Sequence, residues 1–241
     1  MKKNLTVFML YVRFAVYRLL IVLLALLALD LAVYALLDRA GSFMNMTAAE
    51  LLFASAYAAV IVVCLCPASG HSHFGYTLQR LRISEKSVFL HHCSSNFCVF
   101  LILWFTQAAV LFVLARHFAA ETDLPVGPQG LMLEFYVERF LHGVLPLGMT
   151  SLWVRNVLFA ASAAICCAYA ALALRSGNRR PLFPFIILAL IMIEFPVSLN
   201  LGYGGGILAG TAPFGLSLIC LSIALDTASG GKHREEELET P

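Results

Sequence analysis

Apolar residues fall along this chain in six long runs, each close to the length needed to cross a lipid bilayer. A helix that crosses the hydrocarbon needs about 20 residues, at a rise of about 1.5 Å each. The runs do not alternate apolar and polar positions, as the strands of a membrane barrel do. They predict six transmembrane helices: Leu19–Leu37, Leu51–Cys66, Phe97–Ala115, Leu152–Leu174, Leu182–Leu199 and Ile207–Leu225.

The segments that flank these runs are mixed in polarity. Residues 1–18 combine basic side chains with aromatic and aliphatic ones, a pattern typical of an amphipathic helix in the membrane interface. The alternative is that the first transmembrane helix continues into water over this stretch. Residues 229–241 are rich in glycine and charge, and they predict a disordered tail. The transmembrane domain is thus predicted to occupy residues 19–228.

Two connections are irregular in a way that matters at membrane depth. Glycines crowd the link at 200–206, and prolines flank it at positions 196 and 213. Irregular backbone survives in the membrane only where protein or a water-filled cavity covers it, so we expect a broken or partly re-entrant segment before the last helix. The long connection at 116–151 contains an amphipathic stretch, 131–141, which is too short to span and is predicted to lie in the interface or over the bundle.

Composition agrees with a membrane protein and sets its orientation. Hydrophobic residues make up 61% of the chain and charged residues 12%, against about 25% charged in soluble domains. The fold class predicted is therefore all-α and polytopic. Twelve of the 16 Lys and Arg residues fall on the side that holds both termini, so the positive-inside rule places both termini in the cytoplasm, with the protein in the cell membrane. The four on the opposite side are Arg39, Arg116, Arg139 and Arg155.

Two carboxylates lie inside the predicted spans, Asp30 in the first and Glu194 in the fifth. An acid within the bilayer costs about 2.5 to 3.5 kcal/mol on insertion scales, so it should face the bundle interior or water. One hypothesis is that both line a transport path. The other is that each lies near the interface and bonds to a neighbour or a headgroup.

No catalytic, metal or cofactor signature is evident in the sequence. The seven cysteines lie in or beside apolar segments, without the spacing of a zinc site. The adjacent His91 and His92 point in different directions on a helix and are poorly placed to share a metal. No basic stripe interleaved with aromatics suggests nucleic acid. We therefore predict no catalytic residues, no metal and no cofactor, and lipids as surroundings.

The basic loop between the second and third spans is the most informative polar segment. Its apolar residues, which include Leu81 and Ile83, are followed by Ser84, a good N-cap for a helix that runs into the third span. A helical elbow of this kind suits docking to a soluble partner, although an ordinary positive-inside loop has the same charge. The predicted contact residues are Arg80, Leu81, Arg82, Ile83, Ser84, Glu85 and Lys86.

Five of these residues carry a family resemblance. Leu81, Ile83, Ser84, Glu85 and Lys86 resemble the coupling turn after the second span of type-2 ABC transporter permeases, and the predicted topology is similar to that family's plan. The resemblance implies an exporter-type membrane subunit that pairs with a second permease subunit, identical or different. It also implies a separate ATPase subunit, because this chain has no glycine-rich Walker loop to cradle phosphates and is not expected to be an enzyme.

Two other function classes fit the same pattern. A non-transporting scaffold or accessory subunit of a membrane complex needs the spans but no ATPase. A secondary transporter would use Asp30 and Glu194, although the spans offer few other polar groups for coupling.

Overall fold

The computed structural model of the chain describes residues 2–38, 46–65, 84–121, 139–146, 148, 150–175, 182–195 and 202–238. Within these ranges the chain is helical and contains no strand. The helices are α1 (Lys2–Asp38), α2 (Met46–Leu65), α3 (Glu85–Glu121), α4 (Arg139–Val144), α5 (Thr150–Arg175), α6 (Leu182–Glu194) and α7 (Gly202–Leu238).

Five of these helices are long and apolar enough to cross a membrane, over Phe8–Leu36, Ala48–Leu65, Glu85–His117, Thr150–Arg175 and Ile207–Ala228. The fifth predicted span, Leu182–Leu199, corresponds to α6, a shorter apolar helix of 13 residues. The all-α, polytopic membrane fold predicted from the hydrophobic runs is confirmed.

The ends of the helices differ from the sequence-based bounds. Helix α1 runs without interruption across the predicted boundary between residues 18 and 19, which is the arrangement expected if the first span simply continues. Helix α7 continues to Leu238, although a disordered tail was expected from residue 229. Helix α6 ends at Glu194 rather than at Leu199, and residues 196–201 lie outside the described residues. Residues 202–206 of the link that was predicted to be irregular are helical and form the start of α7.

Two tyrosine–histidine pairs fix the direction of α1 relative to α3. The rings of Tyr11 and His92 stack with centroids 4.5 Å apart, and the Tyr34 hydroxyl is hydrogen-bonded to Nδ1 of His117 at 3.1 Å. The two helices therefore run parallel. The pairs are about 35 Å apart along the helices, from their sequence separation and the helical rise. We call the Tyr11 end of the bundle the proximal end and the Tyr34 end the distal end.

The other long helices, α2, α5 and α7, run in the opposite direction to α1 and α3. Nε2 of His92 donates to the carbonyl oxygen of Cys64 at 3.1 Å, so α2 ends at the proximal end. The Arg175 guanidinium pairs with Glu85 at 3.2 Å, so α5 also ends there and runs antiparallel to α3. Helix α7 passes from Gly210 beside Arg155 to Ala224 in a cluster with Phe89, again towards the proximal end. The bundle thus begins and finishes at one end.

Helices α5 and α7 pack closely through small side chains. The buried face of α5 consists largely of alanine and cysteine, and the buried positions of α7 include Gly210, Ser217, Cys220 and Ala224. A Cβ atom at Gly210 would lie 2.9 Å from the Cα atom of Arg155. Small residues let helix backbones approach in a membrane, where lipid removes the hydrophobic drive for association. This contact holds Arg155 against the last helix.

Candidate functional site: a polar cluster around Arg155

The short helix α4 is inserted into the bundle. The indole nitrogen of Trp104 donates to the carbonyl oxygen of Val144 at 2.7 Å, and Trp104 lies midway along α3 between His92 and His117. Since either histidine is about 18 to 20 Å away along the helix, the end of α4 lies near the middle of the bundle. The stretch predicted at 131–141 to lie at the surface is, over its described residues 139–141, the start of this inserted helix.

The turn after α4 returns the chain to α5 within a few residues. Gly148 has a positive φ of 85°, a conformation that favours glycine. The indole nitrogen of Trp153 donates to the carbonyl oxygen of Pro146 at 2.9 Å. The Trp153 ring packs at a tilt against that of Trp104, with centroids 5.2 Å apart. The two tryptophans thus satisfy carbonyl groups that the helix end leaves without intrahelical partners.

Arg155 and Asn156 hold the end of α4 from the other side. Asn156 Nδ2 donates to the carbonyl oxygen of Gly143 at 2.8 Å, and Nη2 of Arg155 donates to the same oxygen at 3.4 Å. The guanidinium also donates to Oδ1 of Asn156, from Nε at 3.2 Å and from Nη2 at 3.1 Å. Both side chains are buried, with Arg155 only 2% exposed. A cation is therefore held inside the bundle by neutral acceptors.

Glu194 and His142 complete the polar cluster. The charges of Arg155 and Glu194 act on each other, although Glu194, at the end of α6, is only partly buried. His142 lies on α4 and is buried in the same region. The cluster pairs one buried cation with one partly buried acid.

Aromatic rings separate the cluster from the rest of the core. Phe53 lies with its ring centroid 6.1 Å from that of Phe140 and 5.3 Å from that of Phe195. The Phe159 ring is tilted against that of Phe195, with centroids 5.8 Å apart, and lies under the Arg155 guanidinium at 5.5 Å. These rings join α2, α4, α5 and the residue after α6 around one apolar centre. They exclude water from the face of the guanidinium that they cover.

The two predicted intramembrane acids lie in different surroundings. Glu194 joins the Arg155 cluster, whereas Asp30 is fully buried between α1 and α3, where Gln107 faces it. Among the described residues, neither carboxylate oxygen of Asp30 has a hydrogen-bond partner of good geometry. The structure therefore places the two acids in different polar groups of the bundle.

The predicted contact loop is described only at its last three residues. Arg80, Leu81, Arg82 and Ile83 lie outside the described residues, while Ser84 caps α3, its hydroxyl oxygen accepting from the backbone nitrogen of Ser87 at 3.4 Å. Glu85 pairs with Arg175 across the proximal end. A small cleft of about 20 Å³ opens between these residues, Tyr11 and His92, enough for about one water molecule. The start of α3 is thus joined to the end of α5.

Several site residues were missed from the sequence. Arg155 was counted only as an outer basic residue, although it lies inside the predicted fourth span, where an ionisable side chain is itself a signal of a functional site. Gln107 is uncharged and gives no such signal, and His142 lies one residue beyond the stretch 131–141 that was predicted to lie in the interface or over the bundle. In the part of the chain that the structure describes, no group of three or more His, Cys, Asp or Glu residues is arranged to hold a metal ion.

Cysteines from three helices meet in the core. Cys166 faces Cys220, and Cys167 faces Cys64. All four are free and buried. They fill space among alanines, as small apolar side chains do in close helix packing.

No family model, curated protein or solved structure matches this chain.

Proposed function

We propose that this protein is the permease-like membrane subunit of an ABC exporter-type complex, in which a separate ATPase subunit supplies the energy. A second permease subunit, identical or different, completes the membrane part. The complex resides in the cell membrane with both termini of this chain in the cytoplasm, so that the proximal end faces the ATPase.

The Arg155 cluster is the observation that carries this proposal. Transporters commonly build their binding sites from interrupted helices that meet near the middle of the membrane. Here α4 ends near mid-bundle and α6, at about 20 Å, falls short of a hydrocarbon layer of about 30 Å. Both ends lie beside Arg155. A passive scaffold gains nothing from a cation buried at such cost, whereas a transport subunit can use it to recognise a negatively charged or strongly polar group.

A mechanical connection favours ATPase coupling over transport without a motor. The proposed contact loop leads directly into α3, and Glu85 in its first turn pairs with Arg175 at the end of α5. Helix α5 carries Arg155 about 30 Å away, from 20 residues of helical rise. A displacement of the loop would therefore act on α5 and on the cluster together. In this proposal Leu81 and Ile83 are apolar anchors for the ATPase, and Arg80, Arg82 and Lys86 set its approach.

The test is retention of the ATPase after changes in the contact loop. We expect the Leu81→Asp, Ile83→Asp double variant to lose the ATPase in a detergent pull-down while remaining inserted, because two buried anchors become charged. The matched control is His71→Asp with His73→Asp, which adds the same charges to the same loop outside the contact segment. The control should retain the ATPase as the unaltered protein does.

Each outcome has a distinct meaning. An ATPase retained equally by all three proteins would remove this loop from the interface. If no ATPase accompanies even the unaltered protein after chemical cross-linking in intact cells, the scaffold alternative replaces the exporter.

A further inference from the structure

Asp30 and Gln107 form a buried polar pair that the Arg155 cluster does not use. Both side chains are 0% exposed. In the described residues, neither oxygen of Asp30 and neither polar atom of the Gln107 amide has a hydrogen-bond partner of good geometry, although the two groups face each other. A buried polar group left in this way costs about 1 to 3 kcal/mol. Four such atoms at one place need an explanation.

A bound proton resolves this arrangement. An ionised carboxylate has only acceptors, so it leaves a negative charge uncompensated among apolar side chains. A protonated carboxyl group gains a donor, and a primary amide is its natural complement. The acid O–H can donate to Oε1 of Gln107, while the amide N–H donates to the acid carbonyl. A small rotation of the two side chains then satisfies all four atoms.

The pair is connected to one end of the bundle only. Asp30 and Tyr34 are four residues apart on one face of α1. Tyr34 is 9% exposed and is hydrogen-bonded to His117 at 3.1 Å, and His117 is exposed at the distal end. Towards the proximal end the next buried positions of α1 are Leu26 and Leu19, which offer no polar group, and the buried Tyr11 is about 28 Å from Asp30 along the helix.

We propose that Asp30 and Gln107 form a proton-binding site, which exchanges with the distal side of the membrane through Tyr34 and His117. A proton from distal water is taken up by His117, the Tyr34 hydroxyl passes a proton on, and the Asp30 carboxylate becomes a carboxylic acid; release reverses these transfers. Other charged or titratable groups at this level are Arg116 on α3 and Glu50, the fifth residue of α2. The proposal does not depend on an ATPase or on the contact loop.

Carbodiimide labelling tests the site. Dicyclohexylcarbodiimide adds as a whole molecule to a protonated carboxyl group in an apolar setting, which gives a stable acylurea found by peptide mass spectrometry. In the purified full chain we expect Asp30 to be labelled at mildly acidic pH, with labelling falling as the pH rises into the alkaline range, and no adduct at this position in Asp30→Asn. Labelling that is absent or independent of pH would overturn the proton site. Slowing by sodium chloride, but not by choline chloride, would replace the proton by a sodium ion.

Infrared spectroscopy after a pH jump tests the route. The carboxylic acid carbonyl band of Asp30, identified by its loss in Asp30→Asn, should disappear about tenfold more slowly in Tyr34→Phe, because one hydrogen-bonded link of the relay is removed. The end point should not change. The matched control is Tyr17→Phe, which alters an exposed tyrosine of the same helix and should leave the rate unchanged. Equal rates in Tyr34→Phe and the unaltered protein would overturn the distal route.

Discussion

Single residues in this protein are understood best through their electrostatic surroundings. The guanidinium of Arg155 donates its hydrogen bonds to the Gly143 carbonyl and to Asn156, which are both neutral. Its positive charge is therefore balanced only at longer range, by Glu194. A sequence motif could not have indicated this balance. The acid was recognised from its position inside an apolar run, but its counter-charge was visible only after α5 and α6 were placed together.

The Arg155–Glu194 interaction predicts a compensating pair of substitutions. Glu194→Leu should destabilise the protein, since it leaves the buried Arg155 cation without a counter-charge, and Glu194→Gln should be milder because it keeps hydrogen-bonding capacity. Adding Arg155→Leu to Glu194→Leu should recover part of the loss, with an interaction energy of about 0.5 to 3 kcal/mol. Thermal unfolding of the four proteins in one detergent measures this cycle. Strictly additive changes would show that the two charges act independently.

Some helices of this protein can be predicted from the hydropathy of the sequence, and others cannot. The five long helices follow from apolar runs because every backbone group in a bilayer needs an internal partner, which a long helix supplies. Helix α4 does not follow, since six residues give no detectable period and its stability comes from Trp104, Arg155 and Asn156 on other helices. The continuity of α1 was one of two alternatives from the sequence, because basic side chains do not end a helix.

The contact between α5 and α7 predicts opposite results for two glycines of the same helix. Gly210→Ala should destabilise the protein, because the new Cβ atom would lie 2.9 Å from the backbone of Arg155 and the helices must separate. Gly215→Ala should be neutral or stabilising by up to about 1 kcal/mol, as alanine is the better helix former and no atom lies within 4 Å of the added carbon. Melting temperatures in detergent decide the matter, and equal melting temperatures for the two variants would contradict the close approach.

At the scale of the whole molecule, the bundle begins and ends at the proximal end, in agreement with an even number of crossings. Charge alone led to the same arrangement of termini, because lysine and arginine in short loops determine how helices enter the membrane. The proximal end gathers the starts of α1 and α3 and the ends of α2 and α5, and α7 runs towards it. In the proposed orientation it is therefore the end at which a cytoplasmic partner would meet several helices at once.

Thiol accessibility tests which side this end faces. In a background whose native cysteines are replaced by alanine, a cysteine at Ser84 should resist a membrane-impermeant maleimide in intact cells and react after permeabilisation. A cysteine at Thr122, on the connection beyond α3, should react in intact cells and serves as the control. The reverse pattern would place the termini outside the cytoplasm and would remove the loop from reach of an ATPase.

The inserted helix α4 has a consequence for how the chain is assembled. Its six residues, about 9 Å long, include the polar His142 and end in carbonyls that lipid cannot satisfy. The groups that do satisfy them belong to α3 and to α5, and α5 is made later. Helix α4 is therefore expected to remain outside the hydrocarbon during synthesis and to insert only after α5 has entered the membrane. The centre of this bundle is completed out of chain order, so a nascent chain that stops after α4 lacks its polar core even though three of its spans are already in the membrane.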